Sequence, residues 1–210
     1  MRLILFLAVF STGLAVAMTL TIGAFSAGDL SGWSTKTFAG ETDYTLVEED
    51  GRNVLKAQSS AAASGLYREI EIDLEQTPFL NWSWKVAGVL MGVNERTKSG
   101  DDYPARVYVV VSGGALFWRT RALNYVWSSS QPANSYWDSA YTGNVKMLAL
   151  RTGGAQAGVW VEEKRNVRED FKRLFGEDIT HINAVALMTD TDNSGQRATA
   201  WYGDIYFSAF

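Results

Sequence analysis

The chain has 210 residues, of which 47% are hydrophobic and 20% charged, a balance that fits a globular protein and excludes wholesale disorder. Its formal net charge of −4 leaves no basic excess to neutralise phosphates, so we expect neither nucleic acid nor an anionic membrane as a partner. The absence of cysteine excludes disulfides and cysteine-bound metals, and any histidine chemistry would depend on His181 alone.

The N-terminus has the pattern of an export signal. Met1 and Arg2 precede an uncharged apolar stretch at 3–17, in which Ala15 and Ala17 are small residues at the positions that a signal peptidase reads. We predict a signal peptide at 1–17, followed by one domain at 18–210 in the periplasm or outside the cell. The alternatives are an uncleaved membrane anchor and a buried first helix. The stretch is short for a membrane span, so we expect none after cleavage.

Alternation of apolar and polar residues predicts a mostly β domain. Asp50 and Gly51 form a pair suited to a type I′ turn between two strands. The stretch 105–111 is apolar on both faces, as a central strand is. The predicted strands are 43–49, 52–57, 65–72, 79–86, 105–111, 116–127, 145–151, 158–167, 184–188 and 198–207.

One helix is predicted at 167–175. Val167, Phe171 and Leu174 repeat there at helical spacing, and Gly176 follows at the position of a C-cap. About ten short strands and one short helix, without β-α-β alternation, predict an all-β fold: an antiparallel β-sandwich of the jelly-roll type.

Several of these segments resemble a bacterial family, domain of unknown function 3047. The resemblance rests on 65–73, 80–86, 100–110, 122–128, 163–171, 186–195 and 202–207, which span nearly all of the predicted mature chain. It implies an exported protein and carries no particular activity.

The layout is also similar to that of galactose-binding-like jelly rolls. The similarity rests on an opening segment with Phe25, Gly32 and Trp33, and on a closing strand with Asp204 before Ile205. It implies an architecture only, because a shared fold does not transfer a function.

The strongest candidate for a binding surface is the stretch FWRTRALNYVW at 117–127. Arg121, Tyr125 and Trp127 share one parity of the predicted strand, whereas Trp118 and Asn124 share the other. Aromatic, guanidinium and amide groups side by side suit a polyhydroxylated ligand. The alternative is that Tyr125 and Trp127 belong to the core.

Two further groups of residues are ligand-binding candidates. Glu162, Lys164 and Asn166 share one polar face, which is either a solvated face or, if it faces Arg121 and Tyr125 across the sheet, one wall of a groove. Arg106 enters the predicted central strand. There it either contacts a ligand or pairs with a buried carboxylate.

The run TDTDNSG at 189–195 resembles the opening of a calcium loop, because Asp190 and Asp192 alternate with other oxygen-bearing residues. The twelfth position is Trp201 instead of a bidentate glutamate, so the run is no EF-hand. Asp204 would complete a structural calcium site if the jelly-roll analogy holds. The alternative is a polar turn without metal, and no other cofactor is expected.

Export, a content of 8 tryptophans and the sandwich pattern favour a non-catalytic module that binds a carbohydrate or another polar envelope ligand. A polysaccharide lyase, with Tyr125 as base and Arg121 neutralising a uronate, is one alternative. A hydrolase is another, and its two convergent carboxylates would come from Glu162, Glu163, Asp190 and Asp192. A structural or partner-binding envelope protein is the third.

Overall fold

The computed structural model describes residues 18–210, so the predicted signal peptide lies outside the described residues. This range forms fourteen β-strands, one α-helix and three 3-10 helices, at Phe25–Ala27, Lys98–Gly100 and Phe117–Arg119. None of the helices in this range is long and apolar enough to cross a membrane. The strands form two sheets that pack face to face, as predicted.

The first sheet, which we call the front sheet, has seven strands. Their order is β2 (Ser34–Ala39), β5 (Ala63–Asp73), β12 (His181–Met188), β7 (Ala105–Val111), β8 (Arg121–Ser128), β10 (Thr142–Thr152) and β9 (Tyr136–Ser139). All neighbouring strands in it are antiparallel except β8 and β10, which are parallel. The predicted antiparallel sandwich therefore contains one parallel pair.

The second sheet, the back sheet, also has seven strands. Their order is β1 (Thr19–Gly23), β14 (Ile205–Ser208), β6 (Phe79–Val86), β13 (Arg197–Tyr202), β4 (Arg52–Ser60) and β3 (Asp43–Glu49), and β11 (Val161–Asn166) also pairs with β6. Tyr202 lies opposite Trp84, and Tyr206 lies opposite Asn81. The chain therefore gains one residue relative to β6 between β13 and β14, which is a bulge in the strand predicted at 198–207.

Aromatic side chains fill the space between the sheets. The ring centroids of Trp82 and Trp84 lie 5.4 Å apart, and Trp84 lies 5.9 Å from Trp127. Trp82 also packs on Tyr125 at 5.4 Å. Three of the tryptophans in the described chain thus lie in the core between the sheets, and Trp137 is also buried. The number of tryptophans is therefore weaker evidence for a sugar-binding surface than the sequence alone indicated.

Two local predictions are confirmed, namely the helix at 167–175 and the turn at Asp50 and Gly51. The helix α1 spans Val167–Phe175, begins where the Asn166 side chain accepts a hydrogen bond from the Glu169 amide at 3.1 Å, and ends at Gly176 with φ of 73°. Asp50 and Gly51 have φ of 53° and 76°, both positive as a type I′ turn requires.

Three strands, β1, β2 and β9, were not predicted, and the strands predicted at 116–127 and 158–167 begin too early. β2 and β9 are short strands at the edges of the front sheet, and β2 is exposed along its whole length, so it lacks the alternation that marks a half-buried strand. The strand predicted at 116–127 begins only at Arg121, because residues 117–119 form a 3-10 helix.

Candidate functional site

The outer face of the front sheet carries two adjoining hollows, which we together call the trough. The apolar hollow has a volume of about 570 Å³, and Tyr67 and Val110 are among its lining residues. The polar hollow has a volume of about 420 Å³. Phe38, Tyr108 and Met188 line both, so the two hollows are continuous.

Strand alternation places the polar side chains of the trough. In β7, Ala105, Val107 and Val109 are core residues, so Arg106 and Tyr108, which alternate with them, point to the outer face. Asn124 lies opposite Tyr108 in β8 and lines the polar hollow as well. A central strand that looked apolar on both faces therefore carries an arginine and a tyrosine to one surface.

Two exposed aromatic rings line the polar hollow. Phe38 on β2 is 65% exposed, and Tyr141, in the turn between β9 and β10, is 56% exposed. The Tyr141 hydroxyl donates to Asn193 Oδ1 at 2.9 Å, which fixes the ring. Since β2 and β9 lie at opposite edges of the front sheet, the sheet must curve for both to reach one hollow. The outer face is therefore concave here.

A buried ion pair lies in the polar hollow. Arg106 Nε donates to Asp190 Oδ1 at 2.7 Å, and Arg106 Nη2 donates to Asp190 Oδ2. Arg106 Nη1 donates to the Tyr108 hydroxyl at 3.0 Å, and Nη2 also donates to the Asp101 carbonyl at 2.5 Å. The expectation that Arg106 pairs with a buried carboxylate is confirmed. Arg106 also lines the trough, as a ligand-binding residue must.

Two buried acceptor atoms in the polar hollow have no hydrogen-bond partner within residues 18–210. They are Oδ1 of Asn124 and Oδ1 of Asp101, and these residues are only 1% and 6% exposed. A buried acceptor without a partner is costly, so a donor that reaches either atom is bound favourably. These atoms are the clearest unmet hydrogen-bonding capacity of the trough.

The acidic residues predicted as calcium ligands are only partly brought together. Asp190 and Asp192 join Asp102, with one oxygen of each within 4.8 Å of the others. Asp102 accepts hydrogen bonds from the amides of Asn193 and Ser194, at 3.2 and 2.6 Å, so it fixes the turn in the TDTDNSG run. The polar-turn alternative describes these contacts.

Asp204 is not part of this cluster, and the prediction that it joins Asp190 is wrong. Its carboxylate accepts from the Ser26 amide at 2.7 Å and from the Ser26 hydroxyl at 2.5 Å. Asp204 lies between β13 and β14, in the back sheet, and it ties the 3-10 helix at Phe25–Ala27 to that sheet.

The pKa values of the trough carboxylates are shifted by burial. Burial raises the pKa of Asp192, and the neighbouring Asp102 carboxylate raises it further. Burial also raises the pKa of Asp101, although the Arg106 guanidinium acts against this. Asp192 is the partly exposed member of the cluster and is therefore the carboxylate that a ligand can reach most directly.

The prediction that Tyr125 and Trp127 form a binding surface is wrong, because both are fully buried. The Tyr125 hydroxyl donates to Asp170 Oδ2 at 3.0 Å, and Asp170 also accepts from Arg165. Burial, followed by the Asp170 charge, raises the pKa of Tyr125 well above its usual range. Tyr125 is therefore unsuited to act as the base of a lyase.

Arg121 and Trp118 lie near the start of β8, outside the trough. Arg121 Nη1 donates to Glu177 Oε2 in an ion pair between half-exposed groups. Trp118 is 58% exposed, and its carbonyl accepts from the Asn144 side chain at 2.7 Å. Of the residues predicted at 117–127, Asn124 is the one that lines the trough.

The second predicted surface lies on the opposite side of the molecule. Glu162 and Lys164 line a hollow of about 400 Å³ on the outer face of the back sheet, and Asn166 caps α1. The predicted groove between these residues and Arg121 with Tyr125 is wrong, because β11 and β8 belong to different sheets.

Glu163 has a structural role at the edge where the sheets meet. It accepts from Arg151 of β10, at 2.7 and 3.1 Å, and from Trp84 Nε1 at 3.1 Å. Because β10 and β11 belong to different sheets, these bonds join the two layers. Glu163 is thus engaged in holding the sandwich together and is not free to act in hydrolysis.

Sequence reasoning missed Phe38, Tyr108, Tyr141 and Asp101 as residues of the site. The shared parity of Arg106 and Tyr108 in β7 was the one available signal. The others reach the trough through sheet curvature and loops, which no local pattern reveals.

The family model for a protein of unknown function, DUF3047, matches residues 31–206. The chain belongs to this family. The resemblance seen in the sequence is thereby confirmed for DUF3047. No curated protein matches the chain by sequence.

Solved structures share the fold of this DUF3047 protein. The family 30 carbohydrate-binding module of a cellulosomal cellulase of Clostridium thermocellum has a TM-score of 0.53 and 12% identity, over 90% of this chain and 96% of that one. A thermostable cellulase derived from an enzyme of Rhodothermus marinus has a TM-score of 0.51 and 10% identity, over 92% of this chain and 100% of that one. At such identities the likeness shows the β-sandwich alone.

Proposed function

We propose that this DUF3047 protein is an exported, non-catalytic carbohydrate-binding protein whose ligand lies in the trough. The observation that carries the proposal is the meeting of two exposed rings, Phe38 and Tyr141, with the unpartnered acceptors of Asn124 and Asp101 in one hollow. A sugar needs both kinds of group, because its C–H face stacks on aromatic rings while its hydroxyls donate to polar atoms.

The shared fold supports this proposal as an analogy. The Clostridium thermocellum module that has the same sandwich over nearly its whole length is named as a carbohydrate-binding module. A fold raises the expectation of a function without fixing it, so the contents of the trough carry the greater weight. An envelope partner protein remains the alternative if no glycan binds.

Hydrolysis is the second candidate, because a cellulase also shares the fold. A glycosidase needs two carboxyl groups that converge on one bond. In the polar hollow, Asp102 is engaged by the turn amides, Asp190 by Arg106, and Asp101 is buried, which leaves Asp192 as the partly exposed carboxylate. Glu69 lines the apolar hollow instead. We therefore propose binding without cleavage, and release of reducing ends from a bound glycan would contradict it.

Calorimetric titration with cellohexaose and with N-acetylglucosamine hexasaccharide tests the proposal. Phe38→Ala removes a ring that is 65% exposed, so the fold should persist. We expect affinity to fall by about tenfold, the size of a lost stacking contact. Tyr206→Ala is the matched control, because Tyr206 is an exposed ring at the hollow of the back sheet. Weaker binding in the control alone, or no binding of any hexasaccharide, would refute the proposed site.

Export rests on the sequence pattern at 1–17. Mass spectrometry of the protein recovered from the cell envelope should find an N-terminus at Met18. An intact N-terminus at Met1 would contradict cleavage and favour the membrane-anchor alternative.

A further inference from the structure

The polar hollow contains more acceptors than donors. Its charged lining residues are Asp101, Arg106, Asp190 and Asp192, which are three carboxyl groups and one guanidinium. Asp102 lies beside them, with an oxygen within 4.8 Å of those of Asp190 and Asp192. The local charge is therefore negative, whatever ligand the trough binds.

The one cation that lines this hollow is already engaged within the described chain. All three guanidinium nitrogens of Arg106 donate to protein acceptors, namely the Asp190 carboxylate, the Tyr108 hydroxyl and the Asp101 carbonyl. Lys98 lies 5.3 Å from the centroid of the Tyr141 ring but does not line the hollow. In the polar hollow, an anionic group would therefore meet carboxylates without gaining a free basic partner, because Lys36 lines the apolar hollow instead.

The acceptors that remain are suited to a ligand rich in donors. Asn124 is 1% exposed, lines the hollow and leaves its Oδ1 without a partner in the described chain, as Asp101 does with its own Oδ1. Asp192 adds a partly exposed carboxylate on the same wall. An unpartnered, almost fully buried amide oxygen is an observation independent of the acidic cluster, and it indicates a missing donor.

We infer that the polar hollow binds an ammonium group, so that the preferred glycan carries free amino sugars. This inference rests on the proposed function, because it assigns a substrate class to the same trough. A protonated amine brings three N–H donors and one positive charge, which match two unpartnered oxygens and a carboxylate. A uronate would instead place an anion beside Asp192.

Titration of the full chain with four hexasaccharides tests the inference: those of glucosamine, N-acetylglucosamine, glucose (as cellohexaose) and galacturonate. At about 0.15 M salt, we expect the glucosamine hexasaccharide to bind about tenfold more tightly than the N-acetylated one. Asp192→Asn should abolish this preference, because it removes the exposed negative charge that distinguishes an ammonium group from an acetamide. Glu48→Gln makes the same change in charge on the exposed back-sheet strand β3 and should leave the preference intact.

Several results would overturn the inference. A hexalysine peptide that binds as tightly as the glucosamine hexasaccharide would show attraction by charge alone. Galacturonate binding of equal strength, or a preference unchanged in Asp192→Asn, would exclude an ammonium site. If cellohexaose binds as tightly as the glucosamine hexasaccharide, the inference fails while the proposed function stands. If no hexasaccharide binds, both fail.

Discussion

Asp190→Asn is expected to lower the free energy of unfolding by about 3–5 kcal/mol. The side chains of Arg106 and Asp190 are 5% and 2% exposed, so both charges are largely shielded from water. The substitution keeps the shape of the side chain but leaves the Arg106 guanidinium buried without its hydrogen-bonded counter-charge, because the Asp101 carboxylate lies 4.0 Å away. The loss is therefore mainly the cost of a poorly compensated buried ion, which is larger than the value of the pair itself.

Urea unfolding, followed by tryptophan fluorescence and far-ultraviolet circular dichroism, measures this loss. The control is Asp138→Asn, which removes the partner of Lys146 from a pair in which Asp138 is 59% exposed, and it should cost less than about 1 kcal/mol. A double variant, Arg106→Met with Asp190→Leu, removes both charges and should recover part of the loss. If Asp190→Asn costs no more than the control, the account of the buried pair is refuted.

Two further predictions concern the core and the pH dependence of binding. Trp127→Ala should lower the free energy of unfolding by about 3–5 kcal/mol in the same urea titration, because Trp127 is fully buried against Trp84; a loss below about 1 kcal/mol would contradict its place in the core. Over the pH range in which the sugar amines stay protonated, the affinity for the glucosamine hexasaccharide should fall as the pH is lowered to about 4, because a raised pKa makes Asp192 lose its charge above the usual aspartate value of about 3.9. Asp101, Asp102, Asp190 and Arg106 are the other charged groups around it, and calorimetry that finds a constant affinity would contradict the role of Asp192. The free energy of unfolding of the ligand-free protein should respond to pH in the opposite direction. It should fall as the pH rises above about 4, because a raised carboxyl pKa means that the folded protein holds the proton more tightly than the unfolded chain.

Local signals predicted most of the fold. A left-handed pair such as Asp50 and Gly51 determines its turn without help from the rest of the chain, and the periodicity of α1 together with Gly176 determines both helix ends. The sandwich followed from the number of strands and from the lack of β-α-β units. The edge strand β2 was missed because all of its residues are exposed and Phe38 is its one large apolar side chain, so it shows no alternation.

The site was harder to predict than the fold. Strand parity correctly separated Asn124 from Tyr125 and Trp127, but parity says which residues share a face and not which face points inward. Both faces of the strand predicted at 116–127 carried polar and aromatic groups, so the sequence left the choice open. The contact between Asp102 and the turn at Asn193 joins distant parts of the chain, and no spacing rule predicts such a meeting.

The central claim is that a glycan lies in the trough on the front sheet. The most direct test is a titration of the isotope-labelled protein with the glucosamine hexasaccharide, followed by amide chemical shifts in two-dimensional NMR. The account predicts that the largest changes fall on the amides of Phe38, Tyr108, Asn124, Tyr141 and Asp192. Changes confined to the back sheet around Glu162, Lys164 and Tyr206, or no changes at all, would contradict it.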